Sequence, residues 1–537
     1  MAQKNLGRVV EVENEYNPDV VSVQKMNTVP LEEEPVTVNP KKILFARDVR
    51  SLGSFKDEMS LSGDLPQQER GSNGFGRLAA GNYGTLDANL YYHYRPTRDD
   101  EFTVNGLFDG FKGNLKHYGP EDGKWNSRLY RTDLQGGYRH HFSMLDFFAS
   151  TGWTGRVFNY QDSPLIASYT DKQHDNAAFF KAGFASNADE LPYEYGVQVG
   201  YDLFTQARTS SLGRSSQDHW SVNGMAATHL DDGSRLSLDF DVDALLYRGE
   251  VRHSFDYDNY VLLRFLPAYT FSSPDWKAQI GAHIDILTAN GKEIRFAPEL
   301  KLRYQVAKPL IIYMQATGGS RLNDLSRLSS LSPYYAAPSQ FTPTHTLYDA
   351  TGGAELTPFT GAWLTLYGGH KYINDNLFAT SGSDMNNWRP VPGYSEYIYT
   401  RFYQDGARAL YAGAAVKYHY KEFVYMQMQG SWSRWTSDGG NSMVKSYLPL
   451  VDIDMRAGGQ PLEGLSLEGG YHFTRYTHTS IGRANNLSDL SFKASYLFYE
   501  SWRLYIEGDN LMGKTYDRFA GYRAPGAHVV IGMETTF

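Results

Sequence analysis

Three acidic residues, Asp239, Asp241 and Asp243, fall two apart within the stretch Leu236 to Ala244. Successive side chains of an extended chain point to opposite faces, so these three carboxylates share one face. Hard oxygen ligands of this kind could bind calcium or line a cation path. They equally suit the wall of a polar lumen, offset by basic side chains on neighbouring strands. His140 and His141 are adjacent, so a strand sends them to opposite faces and they cannot share a metal. Glu32-Glu33-Glu34 reads as a solvated run rather than a metal site. No G-x-S-x-G, H-E-x-x-H, phosphate-binding glycine loop or C-x-x-C is present. The expectation is therefore no catalytic residue, no metal and no cofactor. The pairs Tyr91-Tyr92 and Tyr334-Tyr335 could stack on sugars, or pack in belts and loops.

The acidic triplet belongs to a wider alternation. Leu236, Leu238, Phe240, Val242 and Ala244 interleave with Ser237 and the three aspartates. Trp276, Ala278, Ile280, Ala282, Ile284 and Ile286 interleave with Lys277, Gln279, Gly281, His283 and Asp285. The same rhythm runs through Leu86–Tyr94, Tyr195–Leu203 and Leu465–Phe473. Period 2 held over so many residues is the pattern of a membrane-crossing strand with one face in lipid and one in a polar lumen. From residue 73 onward, short connections such as Ser273-Pro274 and Lys308-Pro309 alternate with long ones near 113–127, 320–344, 375–407 and 514–527. That is how periplasmic turns and extracellular loops alternate, and counting back from the end gives about 22 antiparallel strands. The fold class is an all-β transmembrane barrel. In the last strand Val529, Ile531, Met533 and Phe537 share an apolar face that ends the sequence on an aromatic, a candidate assembly signal.

Composition agrees. The 537 residues include 40 Tyr and 51 Gly, aromatics make up 15%, and there is no cysteine. No run of 18 apolar residues exists, so no helix can cross a bilayer, whereas aromatic belts are a feature of membrane barrels. A lack of cysteine fits export through an oxidising periplasm. Met1-Ala2-Gln3 reads as the tail of a removed secretory signal, and the expected location is the bacterial outer membrane. The net charge of −9 argues against a nucleic-acid partner. An acidic exterior suits loops that face lipopolysaccharide across bridging cations, with outer-membrane lipid around the barrel.

Two short segments carry a family resemblance. Asp509-Asn510-Leu511-Met512-Gly513-Lys514-Thr515-Tyr516, then Gly521-Tyr522-Arg523-Ala524-Pro525-Gly526-Ala527, then a strand ending on Phe537, resembles the C-terminal end of TonB-dependent receptor barrels. Gly81-Asn82-Tyr83-Gly84-Thr85 resembles their tight first hairpin. The resemblance implies a 22-stranded barrel, a receptor or uptake channel, and an energy-coupling protein as partner. It breaks at the front. Residues 1–72 form an extended polar arm, too short for the plug domain of that family, ahead of a barrel over 73–537. Within the arm, Val9, Val10, Glu11 and Val12 could pair with a partner by strand addition. The other reading is a plug-less structural or accessory subunit of an outer-membrane complex, such as the assembly machinery, partnered by a surface lipoprotein or another barrel.

Overall fold

The structure is a computed structural model. It describes residues 73–116, 123–161, 172–186, 193–208, 213–230, 233–288, 292–336, 340–381, 400–420, 423–439, 447–477 and 485–537. The arm 1–72, with Val9, Val10, Glu11 and Val12, lies outside the described residues.

One continuous sheet of 23 strands dominates the chain. Twenty-two of them form a closed antiparallel barrel. The remaining one, Tyr335–Ala336, pairs in parallel with the start of Thr400–Tyr420. Closure joins the first strand, Gly74–Gly81, to the last, His528–Thr536, in register from Phe75 opposite Thr536 to Gly81 opposite Val530. A closed sheet has no edge, which is what a bilayer demands of strands that cross it. Gly74 and Phe537 exchange both backbone hydrogen bonds at 2.7 and 3.0 Å. A Cβ on Gly74 would lie 2.3 Å from the Phe537 ring, so only glycine lets the terminal aromatic seat there. The first hairpin turns through Tyr83 and Gly84, both at positive φ. Asn82 ties it to the last strand, donating to the Ala527 carbonyl and accepting from Val529 N–H.

The alternation read from sequence is the alternation of the wall. Leu78, Ile280 and Ile531 are each at least 63% exposed on the outside of a closed barrel, where only lipid tails can cover them. Met533 and Phe537 share that outer face with Ile531, while Val530, Gly532 and Glu534 face the lumen. Tyr92 stacks on Tyr94 and on Phe537 along the same outer surface. No described helix is long and apolar enough to cross a membrane. Short turns lie at the end where the barrel strands begin and finish, the periplasmic end by the usual rule, and the long connections lie at the other. Ala362–Ser381 and Thr400–Tyr420 are 20 and 21 residues long. A bilayer crossing needs about 9–11 residues, so this pair stands well above the membrane. Their outer ends pair from Asn376–Asp405 to Ser381–Thr400 beyond a bulge, so Thr400 to Ala407, read within the 375–407 connection as either loop or a strand extension above the membrane, is the strand extension.

Candidate functional site

The acidic triplet lies on the lumen face of Arg235–Gly249. Asp243 is almost fully buried, held by His219 at 2.8 Å on one neighbouring strand and by Arg264 at 2.6 Å on the other. Asn223 donates to Asp241, and Arg264 reaches it at 3.7 Å. Arg264 thus joins Asp241 and Asp243, while Asp239 lies one step further toward the periplasmic end of the same face. Side chains on both neighbouring strands thus pair Asp241 and Asp243 along this lumen wall. Among the described residues no group of three or more histidines and carboxylates is arranged to hold a metal. His140 and His141 point apart, as their adjacency requires: His140 meets Asp100 at 2.7 Å and His141 meets Asp146 at 2.9 Å.

The more unusual feature lies above the acidic face. Residues 322–336 leave the outer end of Leu310–Arg321 and fold inward across the lumen instead of outward. Their helix, Leu325–Leu331, is capped by Asp324, whose carboxylate accepts from Arg327 N–H at 2.8 Å. Gln217 on the wall strand Arg214–His229 reads both sides of that cap. It donates to Asp324 at 2.7 Å and accepts from Leu325 N–H at 2.8 Å. Leu325 and Leu328 are buried in one apolar cluster with Leu245, Leu262, Tyr335, Phe402 and Tyr476. Leu262 and Tyr476 belong to wall strands on nearly opposite sides of the barrel. A 22-stranded barrel is wide, so such residues share a core only if chain bridges the lumen between them.

A buried ion pair fixes the inward loop from below. Asp175 bonds Arg208, both with almost no exposed side chain, and Arg156 lies 3.8 Å from the same carboxylate. Ser329 donates its hydroxyl to Asp175 at 2.6 Å, and Arg156 donates to the Ser329 carbonyl at 2.7 Å. The Arg208 guanidinium sits 4.7 Å from the centre of the Phe158 ring. Buried charges persist only when paired and hydrogen-bonded in this way. Tyr335 donates to Gln206 on the wall. Burial pushes the Tyr335 hydroxyl well above its ordinary range and that of Tyr334 up to about 12, so both rings stay neutral. The Tyr334-Tyr335 pair is loop packing, not an exposed sugar platform.

The segment that carries the family resemblance forms a second inward element, residues 510–527. Asn510 adopts positive φ, which asparagine tolerates better than most residues. Its side chain donates to the carbonyls of Lys514 and Pro525 and accepts from Lys514 N–H, so one residue ties both ends of the loop. Asp489 accepts from Asn510 N–H at 2.7 Å and from the Tyr516 hydroxyl at 2.6 Å. Asp517 pairs with Arg523 at 3.0 Å and accepts from Tyr447 at 2.8 Å, and burial outweighs both partners to push its carboxyl up to about 6. The two inward elements meet: Tyr334 stacks flat on Tyr522, ring centres 3.6 Å apart. Thr400 donates to the Ala520 carbonyl at 2.9 Å and shares a hydrogen bond with Ser332 at 2.7 Å.

The sequence reading makes 320–344 a long connection and admits inward-folded loops as one way to fill so wide a barrel, and the described residues 322–336 take that inward course. The signal was present: Leu322, Leu325, Leu328 and Leu331 recur every three residues in a segment expected to be solvated. The tethering residues Asp175, Gln217 and Asp489 lie on three separate strands and Arg208 just past the end of a fourth, so no local spacing marked them.

No family model matches the sequence, and no curated protein matches it. Solved structures do match in fold. The copper transporter OprC is 13% identical with a TM-score of 0.63, covering 87% of this chain and 80% of its own. The siderophore receptor PirA from Acinetobacter baumannii is 8% identical with a TM-score of 0.66, covering 86% and 80%. The ferric-catecholate import receptor Fiu from K12 E. coli is 9% identical with a TM-score of 0.61, covering 87% and 82%. The resemblance read at the two ends of the sequence, to TonB-dependent receptor barrels, holds at the level of the fold, a closed 22-stranded antiparallel β-barrel.

Proposed function

We propose that this protein is a receptor-type uptake barrel of the outer membrane. The observation that carries this reading is a closed 22-stranded barrel of receptor fold whose lumen is crossed, at its outer end, by the chain's own loops. A barrel of that width suits passage of a bulky ligand better than sieving of small ions, and its outer loops suit capture. The matched structures are named for copper and for ferric siderophores, so metal complexes are the first ligand class to try. An energy-coupling protein on the periplasmic side is the expected partner, and no chemical step is assigned to the barrel itself.

The test is binding and accumulation. Purified full-length protein is heated with a panel of ferric siderophores and with copper(II), and cells carrying it in place of their own receptors are assayed for uptake. At least one probe should raise the melting temperature and accumulate only in energised cells. A second reading, the accessory subunit of an outer-membrane complex, draws on the buried Asp175–Arg208 tether, which suits a lumen that stays shut. No stabilising probe, together with a stoichiometric co-purified barrel or lipoprotein, would replace the first reading with the second.

A further inference from the structure

We propose that residues 322–336 are the permeability seal of this barrel, latched shut against residues 510–527 at Ser332, Thr400 and Ala520. Two apolar clusters converge on that segment. Its leucines join opposite walls of the lumen into one apolar cluster. A second cluster, including Phe111, Trp125 and Phe158 with Tyr334 and Tyr522, closes the adjoining side. Together they draw on wall strands around most of the circumference.

The tether and the latch have different chemistry. The tether is the Asp175 carboxylate under Ser329, buried and charged, so breaking it leaves an unpaired group in a dry place. The latch is neutral: two hydroxyls, one carbonyl and a stacked ring pair. Thr400 donates to Ala520, so Ser332 must donate to Thr400, giving a single directed chain from one loop to the other. Neutral hydrogen bonds of this type contribute little net stability, because each replaces a bond to water. The latch is therefore the part that can part and re-form, with the tether as the pivot. The seal lies within one chain and holds under either reading of function.

The chain has no cysteine, so the latch can be locked chemically. Full-length protein is placed in planar bilayers in four forms: wild type, Asp175→Ala, Asp175→Ala with Ser332→Cys and Thr400→Cys, and a form with residues 323–342 replaced by a short Gly-Ser linker. Wild type should be silent. The linker form should conduct steadily, by an order of magnitude or more above background, because an unfilled barrel of this size holds an open lumen. Asp175→Ala should flicker open. The double-cysteine form should be silent when oxidised and flicker once a reductant is added. A folded linker form as silent as wild type would place the seal elsewhere and overturn the proposal. If the linker form failed to fold, an oxidised double-cysteine form that flickered like Asp175→Ala alone would overturn it instead.

Discussion

Along the single strand Arg235–Gly249 the lumen changes character. At its outer end Leu245 and Tyr247 are buried in an apolar cluster, while Asp241 and Asp239, further in, face a wall of polar groups. The contrast extends around the barrel. The outer ion pair Asp175–Arg208 has side chains no more than 4% exposed, whereas the inner pair Arg303–Glu355 has 39% and 35%. Both halves are built by the same alternating strands. What separates them is two loops that return into the barrel and dry its outer half. Burial, not strand pattern, decides what each charge is worth there.

The comparison predicts a steep gradient in mutational cost. Asp175→Ala strands Arg208 in a dry site and should cost about 3–5 kcal/mol of stability by analogy with broken buried pairs. It should appear as early protease cleavage within 322–336 during thermal melting. Leu328→Ala removes a buried side chain from the bridging helix and should cost about 2–5 kcal/mol, read in the same assay. Tyr516→Phe leaves Asp489 short of a donor and should cost about 1–3 kcal/mol, seen as faster hydrogen exchange in 510–527. Arg303→Ala, in the inner half, should cost no more than about 1 kcal/mol. An equal cost for Arg303→Ala and Asp175→Ala would erase the distinction between the halves.

A pH dependence sharpens it further. Burial raises the Asp517 carboxyl from 3.8 to about 6, so the folded loop binds a proton more readily than the unfolded chain. Stability of 510–527 is then greatest at low pH and falls as pH rises through the window from about 4 to 6. Protease resistance of that loop should decline across this window in wild type, and the decline should vanish in Asp517→Asn.

Much of the barrel was legible in the sequence because a membrane strand writes its two environments into alternate residues. Leu236 to Ala244 shows lipid and lumen faces with no other information. The capped half was not legible. Asp239, Asp241 and Asp243 could be assigned to a lumen wall, but their partners His219, Asn223 and Arg264 lie on two other strands, in a register that local spacing does not encode. The fate of 320–344 was hidden for a related reason. Loops are polar by habit, and the threefold leucine spacing in this one has meaning only once a wall of buried aromatics stands around it.

The most direct test of a dry outer half over a hydrated inner half is single-cysteine accessibility in this cysteine-free chain. Leu245→Cys and Lys301→Cys, made separately in the full-length protein, are exposed to a charged maleimide in detergent. The account predicts rapid labelling at position 301, whose lysine is 48% exposed in the lumen, and protection at position 245 until the protein is unfolded. Equal labelling of both in the folded barrel would contradict it.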